Sequence, residues 1–168
     1  MGEKLAALIF KRSQLLYDIA NCCYIEGDLL GKEEFERARM VQDVVQADNV
    51  DRITRIMDLS VSQCVERLYP FTKRELIRDR SVRDDVLENE QEYWIGLRLP
   101  EDFSATTVEY LEKLIHEFIV CRAMEEWMSI TNPGKRDVWR EKWEEAEREL
   151  LGSLKRRRGR VRRPLSPF

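Results

Sequence analysis

Between residues 104 and 154 the apolar side chains recur so regularly that the stretch reads as two helices joined at a tight corner. Ser104 is suited to cap the first, its hydroxyl oxygen accepting from the free backbone N–H groups of the first turn. Behind it Val108, Leu111, Leu114, Ile115, Phe118, Cys121, Met124, Trp127 and Met128 follow helical spacing. Within 118–124 only Arg122 interrupts an apolar surface that runs nearly all round, which predicts a helix buried on several sides. The helix is expected to stop at Ser129-Ile130-Thr131-Asn132-Pro133. A residue before proline is pushed out of αR, and proline suits the first turn of a new helix. Asn132 is therefore expected to cap the second helix and Pro133 to open it. Trp139, Trp143, Ala146 and Leu150 then recur at helical spacing on an otherwise charged rod, a stripe narrow enough to pack along a single neighbour. The prediction is an antiparallel pair cornered on Trp127, Trp139 and Trp143.

The rest of the chain fits around that pair. Leu5, Leu8, Ile9, Leu15, Leu16, Ile19, Cys22 and Cys23 predict a first helix over 3–24, with Gly27 and Gly31 punctuating its end. A shorter helix is expected over 33–46 on Phe35, Ala38, Val41 and Val45. A third, capped by Asp48 or Asn49, is expected over 50–68 on Ile53, Ile56, Met57, Val61, Cys64, Val65 and Leu68. The period then changes to two. Tyr93, Ile95, Leu97 and Leu99 alternate with Trp94, Gly96 and Arg98, which predicts a strand closed by Pro100. A lone strand needs a partner, and 71–77 is the nearest extended candidate; the charged stretch 78–92 between them reads as an exposed arm. The fold class is thus mainly α: a bundle of about five helices in one domain over 1–154, with a β-hairpin or extended insertion at 71–100 and a basic extended tail over 155–168.

That tail is the sharpest charge asymmetry. Lys155, Arg156, Arg157, Arg158, Arg160, Arg162 and Arg163 are seven cations within nine residues, followed by an apolar ending in Leu165 and Phe168. Taking these seven from a net charge of −3 leaves the remaining chain at −10. Three readings of the tail stand side by side: a solvated charge run, non-specific neutralisation of phosphates, and docking onto an acidic protein surface.

Chemistry is scarce. His116 is the only histidine, and Val120 stands where the second histidine of HExxH would be. Phosphate-cradling glycine loops and nucleophile elbows are absent from the sequence. Cys22, Cys23, Cys64 and Cys121 lie in apolar helical stretches without CxxC spacing, as expected of buried reduced thiols in a cytosolic environment. Apolar runs are broken by charge far short of a bilayer's thickness. The expectation is a protein with no catalytic, metal or cofactor residues and no membrane span.

Leu68-Tyr69-Pro70-Phe71, the run Tyr-Trp-Ile-Gly-Leu-Arg-Leu-Pro at 93–100, and the corner at 127–133 resemble a known layout. Over 50–168 the chain resembles the small, mostly helical head-to-tail adaptor (connector) proteins in the necks of tailed bacteriophages, of the type found in phages and prophages of gut Bacteroidales. The long first helix and the strongly cationic tail go beyond the minimal pattern of such adaptors. The resemblance implies a structural virion protein of the phage neck, assembled in the host cytoplasm, without enzymatic activity. It also implies a dodecameric ring of identical subunits below the portal. The partners would be the portal protein, the next tail component and the DNA passing through the channel. Lys155, Arg156, Arg157, Arg158, Arg160, Arg162, Arg163, Leu165 and Phe168 would form the segment that docks on the portal or a neighbouring subunit. The alternative is a nucleic-acid-binding regulatory protein that uses the same basic tail; against it, an acidic body repels a duplex.

Overall fold

A computed structural model describes residues 3–74 and 91–156. In chain order, strand β1 (Glu3–Lys11) runs directly into helix α1 (Arg12–Asp28). The short helix α2 (Phe35–Gln42) lies between 3-10 turns at Lys32–Glu34 and Asp43–Val45. Then come α3 (Ala47–Arg67), strand β2 (Glu92–Pro100), α4 (Ala105–Thr131), a 3-10 turn at Pro133–Lys135, and α5 (Arg136–Arg156). The fold is mainly α, with five α-helices and one two-stranded antiparallel pair among the described residues.

Helix α4 is the axis. Phe118, Ile119, Val120, Cys121, Ala123 and Met124 are all buried, because α1, α2, α3 and α5 each pack on a different side of it. The all-round apolar sequence therefore became an all-round buried helix, as expected. The corner also forms as read. Asn132 precedes a 3-10 turn opened by Pro133, and α5 returns antiparallel with Trp139, Ala146, Leu150 and Leu154 buried. The capping expected of the side chains does not occur: neither Ser104 nor Asn132 makes a side-chain cap bond. At Ser104 the backbone oxygen serves instead, accepting from Thr107 and Val108.

The first nine described residues depart from expectation. They form a strand, and the predicted helix begins only at Arg12. A helix over Leu5, Leu8 and Ile9 would leave Phe10 off its apolar face. A strand turns Leu8 and Phe10 inward together, and its backbone supplies the ladder that β2 could not make alone. The register pairs Leu8 with Ile95 and Phe10 with Tyr93, so Tyr93, Ile95, Leu97 and Leu99 form one buried face with them. The expected partner at 71–77 is not a strand over 71–74; Phe71 contributes one carbonyl, accepting from the Arg98 N–H at 2.8 Å. Residues 75–77, and the charged arm up to residue 90, lie outside the described residues.

Smaller shifts have local causes. Gly27 does not end α1; the helix runs through it, and a Cβ there would sit 2.6 Å from the Gln42 side chain. The glycine lets α2 approach α1 closely enough for Gln42 to donate to the Tyr24 carbonyl at 3.2 Å. Helix α3 starts at Ala47, one residue before the expected caps, which puts Asp48 in the first turn at the positive end of the helix dipole. At the other end of the chain α5 extends to Arg156, so Lys155 and Arg156 belong to the helical body rather than to the tail.

Candidate interaction surfaces

Two polar constellations and two apolar faces stand out. His116 on α4 meets Asp18 on α1, Nε2 to Oδ2 at 2.7 Å, and Gln14 donates to the same oxygen at 3.1 Å. The Phe10 ring lies 6.4 Å from the imidazole. This is a strut between α1 and α4 at the root of the β-pair.

The second constellation centres on Glu125, which is buried where α3, α4 and α5 meet. Its Oε2 accepts from Trp143 at 2.7 Å and from Arg122 at 3.1 Å, while Oε1 accepts from Arg140 at 3.0 Å. Arg136 adds an ion pair at 3.5 Å. Arg122 reaches on to Gln63 at 2.9 Å and Glu126 at 2.6 Å. The hydrogen bond from Arg140 to Glu125, with their Coulombic attraction, raises the Arg140 pKa further. A groove of about 370 Å³ opens over this cluster, flanked by Arg67 and Glu66. Sequence reading passed over Glu125, yet the signal is there. It falls on the Phe118–Cys121–Met128 stripe, and a carboxylate on a buried stripe requires cationic partners.

The thiols are inert. All four are free, and burial raises each pKa, Cys64 to about 12. Glu117 reinforces the effect at Cys22 and Cys121. A thiol held protonated in this way is a poor nucleophile and a poor metal ligand.

Of the residues expected to bind a partner, Lys155 is exposed in the last turn of α5 and Arg156 ends that helix. Cations there complement the helix dipole. Arg157, Arg158, Arg160, Arg162, Arg163, Leu165 and Phe168 lie outside the described residues. Just before this basic end, Tyr110 of α4 donates to Glu149, which fixes the end of α5 beside the start of α4.

The apolar faces were not legible from the sequence. On the outside of the β-pair, Leu5 and Trp94 are 70% and 56% exposed, and Ile9 stands opposite Trp94 in the register. Leu5 leans over Gly96, its Cδ1 3.3 Å from where a Cβ would be. The second face lies on α1 and the corner after it, where Tyr17, Tyr24, Ile25, Leu29 and Phe35 are each at least 60% exposed.

Comparison of the chain with protein-family models, with curated proteins and with solved structures finds no match. Among the described residues no helix is long and apolar enough to cross a membrane.

Proposed function

We propose that this chain is a structural assembly subunit: a head-to-tail adaptor that forms a ring of identical subunits below the portal in a phage neck. Its basic C-terminal segment docks on the portal or on a neighbouring subunit. The observation that carries this reading is the β-pair, whose outer face holds an exposed apolar patch beside the charged Glu3, Lys11 and Arg98 while its inner face is buried. Leu8, Phe10, Tyr93, Ile95, Leu97 and Leu99 are spent on the core, yet Leu5, Ala7, Ile9 and Trp94 face outward. An antiparallel pair with one face in water alternates apolar with polar; apolar residues on both faces belong to a sheet covered on both. A closed ring covers such a surface, because each subunit contributes one patch and accepts its neighbour's on another.

Light scattering over a range of concentrations, followed by negative-stain imaging, tests the reading. The expected result is a closed ring of defined mass. A monomer at every concentration overturns it. Salt-sensitive retention on duplex DNA by a chain that never self-associates would point instead to a nucleic-acid-binding protein acting through the tail.

A further inference from the structure

The α1–α2 corner combines two properties. The first is apolar area. Tyr17, Tyr24 and Ile25 lie within one side of α1, and Leu29 and Phe35 carry the surface around the turn, all outward while Leu15, Ile19 and Cys23 occupy the core side. The second is charge. From residue 26 to residue 36 the chain holds five carboxylates against a single lysine. Two of the five are engaged, Glu26 with Lys135 at 3.7 Å and Glu34 with Arg37. Asp28, Glu33 and Glu36 stand outside every ion pair among the described residues.

An apolar floor with an acidic rim is complementary to one segment of this same chain. Residues 157–168 carry five arginines, then Leu165 and Phe168. We propose that the α1–α2 corner is the acceptor for the C-terminal tail of a second copy, the arginines meeting Asp28, Glu33 and Glu36 while Leu165 and Phe168 cover Ile25, Leu29 and Phe35. This rests on the assembly reading above and names the partner surface within it.

Geometry decides between the same chain and another. Tyr110 of α4 is level with Glu149 of α5, and Met124 of α4 is level with Cys23 of α1, whose Sγ is 3.5 Å from its sulfur. The fourteen residues from Tyr110 to Met124 rise about 21 Å; seven more along α5 to Arg156 and six along α1 to Leu29 add about 20 Å at opposite ends. The root of the tail and its acceptor are thus about 40 Å apart. The nine residues from Arg157 to Leu165 span at most about 32 Å fully extended. A chain's own Leu165 therefore falls short of its own Leu29. Its Phe168, about 43 Å from the root when fully extended, reaches that level only with residues 157–163 left within about 25 Å of the root, far from Asp28, Glu33 and Glu36. With the donor at one end of the subunit and the acceptor at the other, the contact is heterologous, the kind that propagates around a ring or along a stack.

The test uses the full-length chain and a fluorescent peptide of residues 155–168, followed by polarisation. The peptide is expected to bind, and to bind at least tenfold more weakly when it carries Leu165→Ser and Phe168→Ser. On the protein, Leu29→Ser with Ile25→Ser should weaken the unmodified peptide by a similar factor. Asp28→Asn, Glu33→Gln and Glu36→Gln together should weaken it and flatten its salt dependence. All five positions are exposed, so circular-dichroism melting should be unchanged in each variant. Equal binding to unmodified and Leu29→Ser, Ile25→Ser protein overturns the proposal, as does a peptide indifferent to loss of Leu165 and Phe168. So does a peptide that is retained on duplex DNA and not by the protein. If the peptide fails while a closed ring persists, only the tail contact is wrong. If the peptide binds a chain that stays monomeric, the ring reading fails instead.

Discussion

Trp143 of α5 donates its indole N–H to Glu125 of α4 at 2.7 Å, and that bond fixes how the two long helices are set against each other. The ring edge of Trp143 also meets Phe118, centroids 5.6 Å apart at 78°. One side chain thus joins the apolar stripe of the corner to its buried charge. Sliding α5 by one turn would displace Trp143 together with Arg136 and Arg140 and leave the carboxylate only Arg122 of its own helix.

Removing the carboxylate should therefore be expensive. Glu125→Ala leaves Arg122, only 13% exposed at its side chain, with Glu126 and Gln63 but without its most buried partner. Arg136 and Arg140, each more than a third exposed, can turn to solvent. The expected loss is about 3 kcal/mol, the low end for breaking a buried pair. Glu125→Gln keeps shape and one acceptor and should lose clearly less. Urea unfolding of both variants checks the order; equal losses would show that volume rather than charge sets the cost.

Trp143 separates packing from hydrogen bonding. Trp143→Phe keeps a ring against Phe118 and loses the donor, for an expected cost of about 1–2 kcal/mol. Trp143→Ala loses both and should cost about 3–5 kcal/mol, lowering the melting temperature by many degrees. A drop of a degree or less for the alanine variant would mean that the stripe is not part of the core.

Strand β1 makes a prediction of opposite outcomes for adjacent residues. Phe10 is buried and Ile9 is outward, so Phe10→Ala should cost about 3–5 kcal/mol and Ile9→Ala about 1 kcal/mol or less. The helix first expected for this segment ranks them the other way, since its stripe contained Ile9 and left out Phe10. Thermal melts of the two variants decide between strand and helix.

That reversal marks where the sequence stopped being legible. Helices α3, α4 and α5 could be read because each carries enough turns for a 3.6-residue period to separate from noise. In β1 a helical stripe takes Leu5, Leu8 and Ile9 while an alternating one takes Leu8 and Phe10, and so short a run does not separate the two. The arbiter was a partner more than eighty residues away, which no local pattern contains. The same gap hid the outer face of the β-pair. Leu5 and Trp94 become neighbours of one surface only once the register is known. Glu125 was overlooked for a related reason: its partners Arg140 and Trp143 arrive from the next helix.

The buried thiols predict an alkaline limb of stability. Burial raises Cys64 from 9.0 to about 12, so the folded chain holds a proton that the unfolded chain releases near its ordinary pKa. This stability is fully present below pH 9 and is lost between pH 9 and about pH 12, at about 1.4 kcal/mol per pH unit for that thiol. Cys64→Ala should show a shallower decline over that range than the parent chain in urea unfolding. An identical slope would mean that Cys64 is not buried as described. In native protein at pH 8, Cys64 should also resist alkylation until the chain unfolds.

The outer face of the β-pair should matter for association and hardly at all for folding. Leu5, Ile9 and Trp94 make no claim on the core, and Gly96 beneath Leu5 keeps the surface shallow enough for another subunit to lie flat on it. Covering these three side chains removes on the order of 300 Å² per subunit from water, roughly 7 kcal/mol before the costs of ordering and association. A surface of that size is too large to lose without a visible change in oligomer mass. Leu5→Ser with Trp94→Ser should leave the melting temperature of the monomer within about two degrees, as for substitutions at exposed positions. The same pair should shift the mass seen by light scattering from ring to monomer. Leu8→Ser, three residues from Leu5 and on the buried face, should do the reverse: unfold the chain at lower temperature without a specific effect on the mass of whatever remains folded. If the Leu5, Trp94 variant still closes into rings, another surface holds them together, and the β-pair's outer face must be covered by a different molecule.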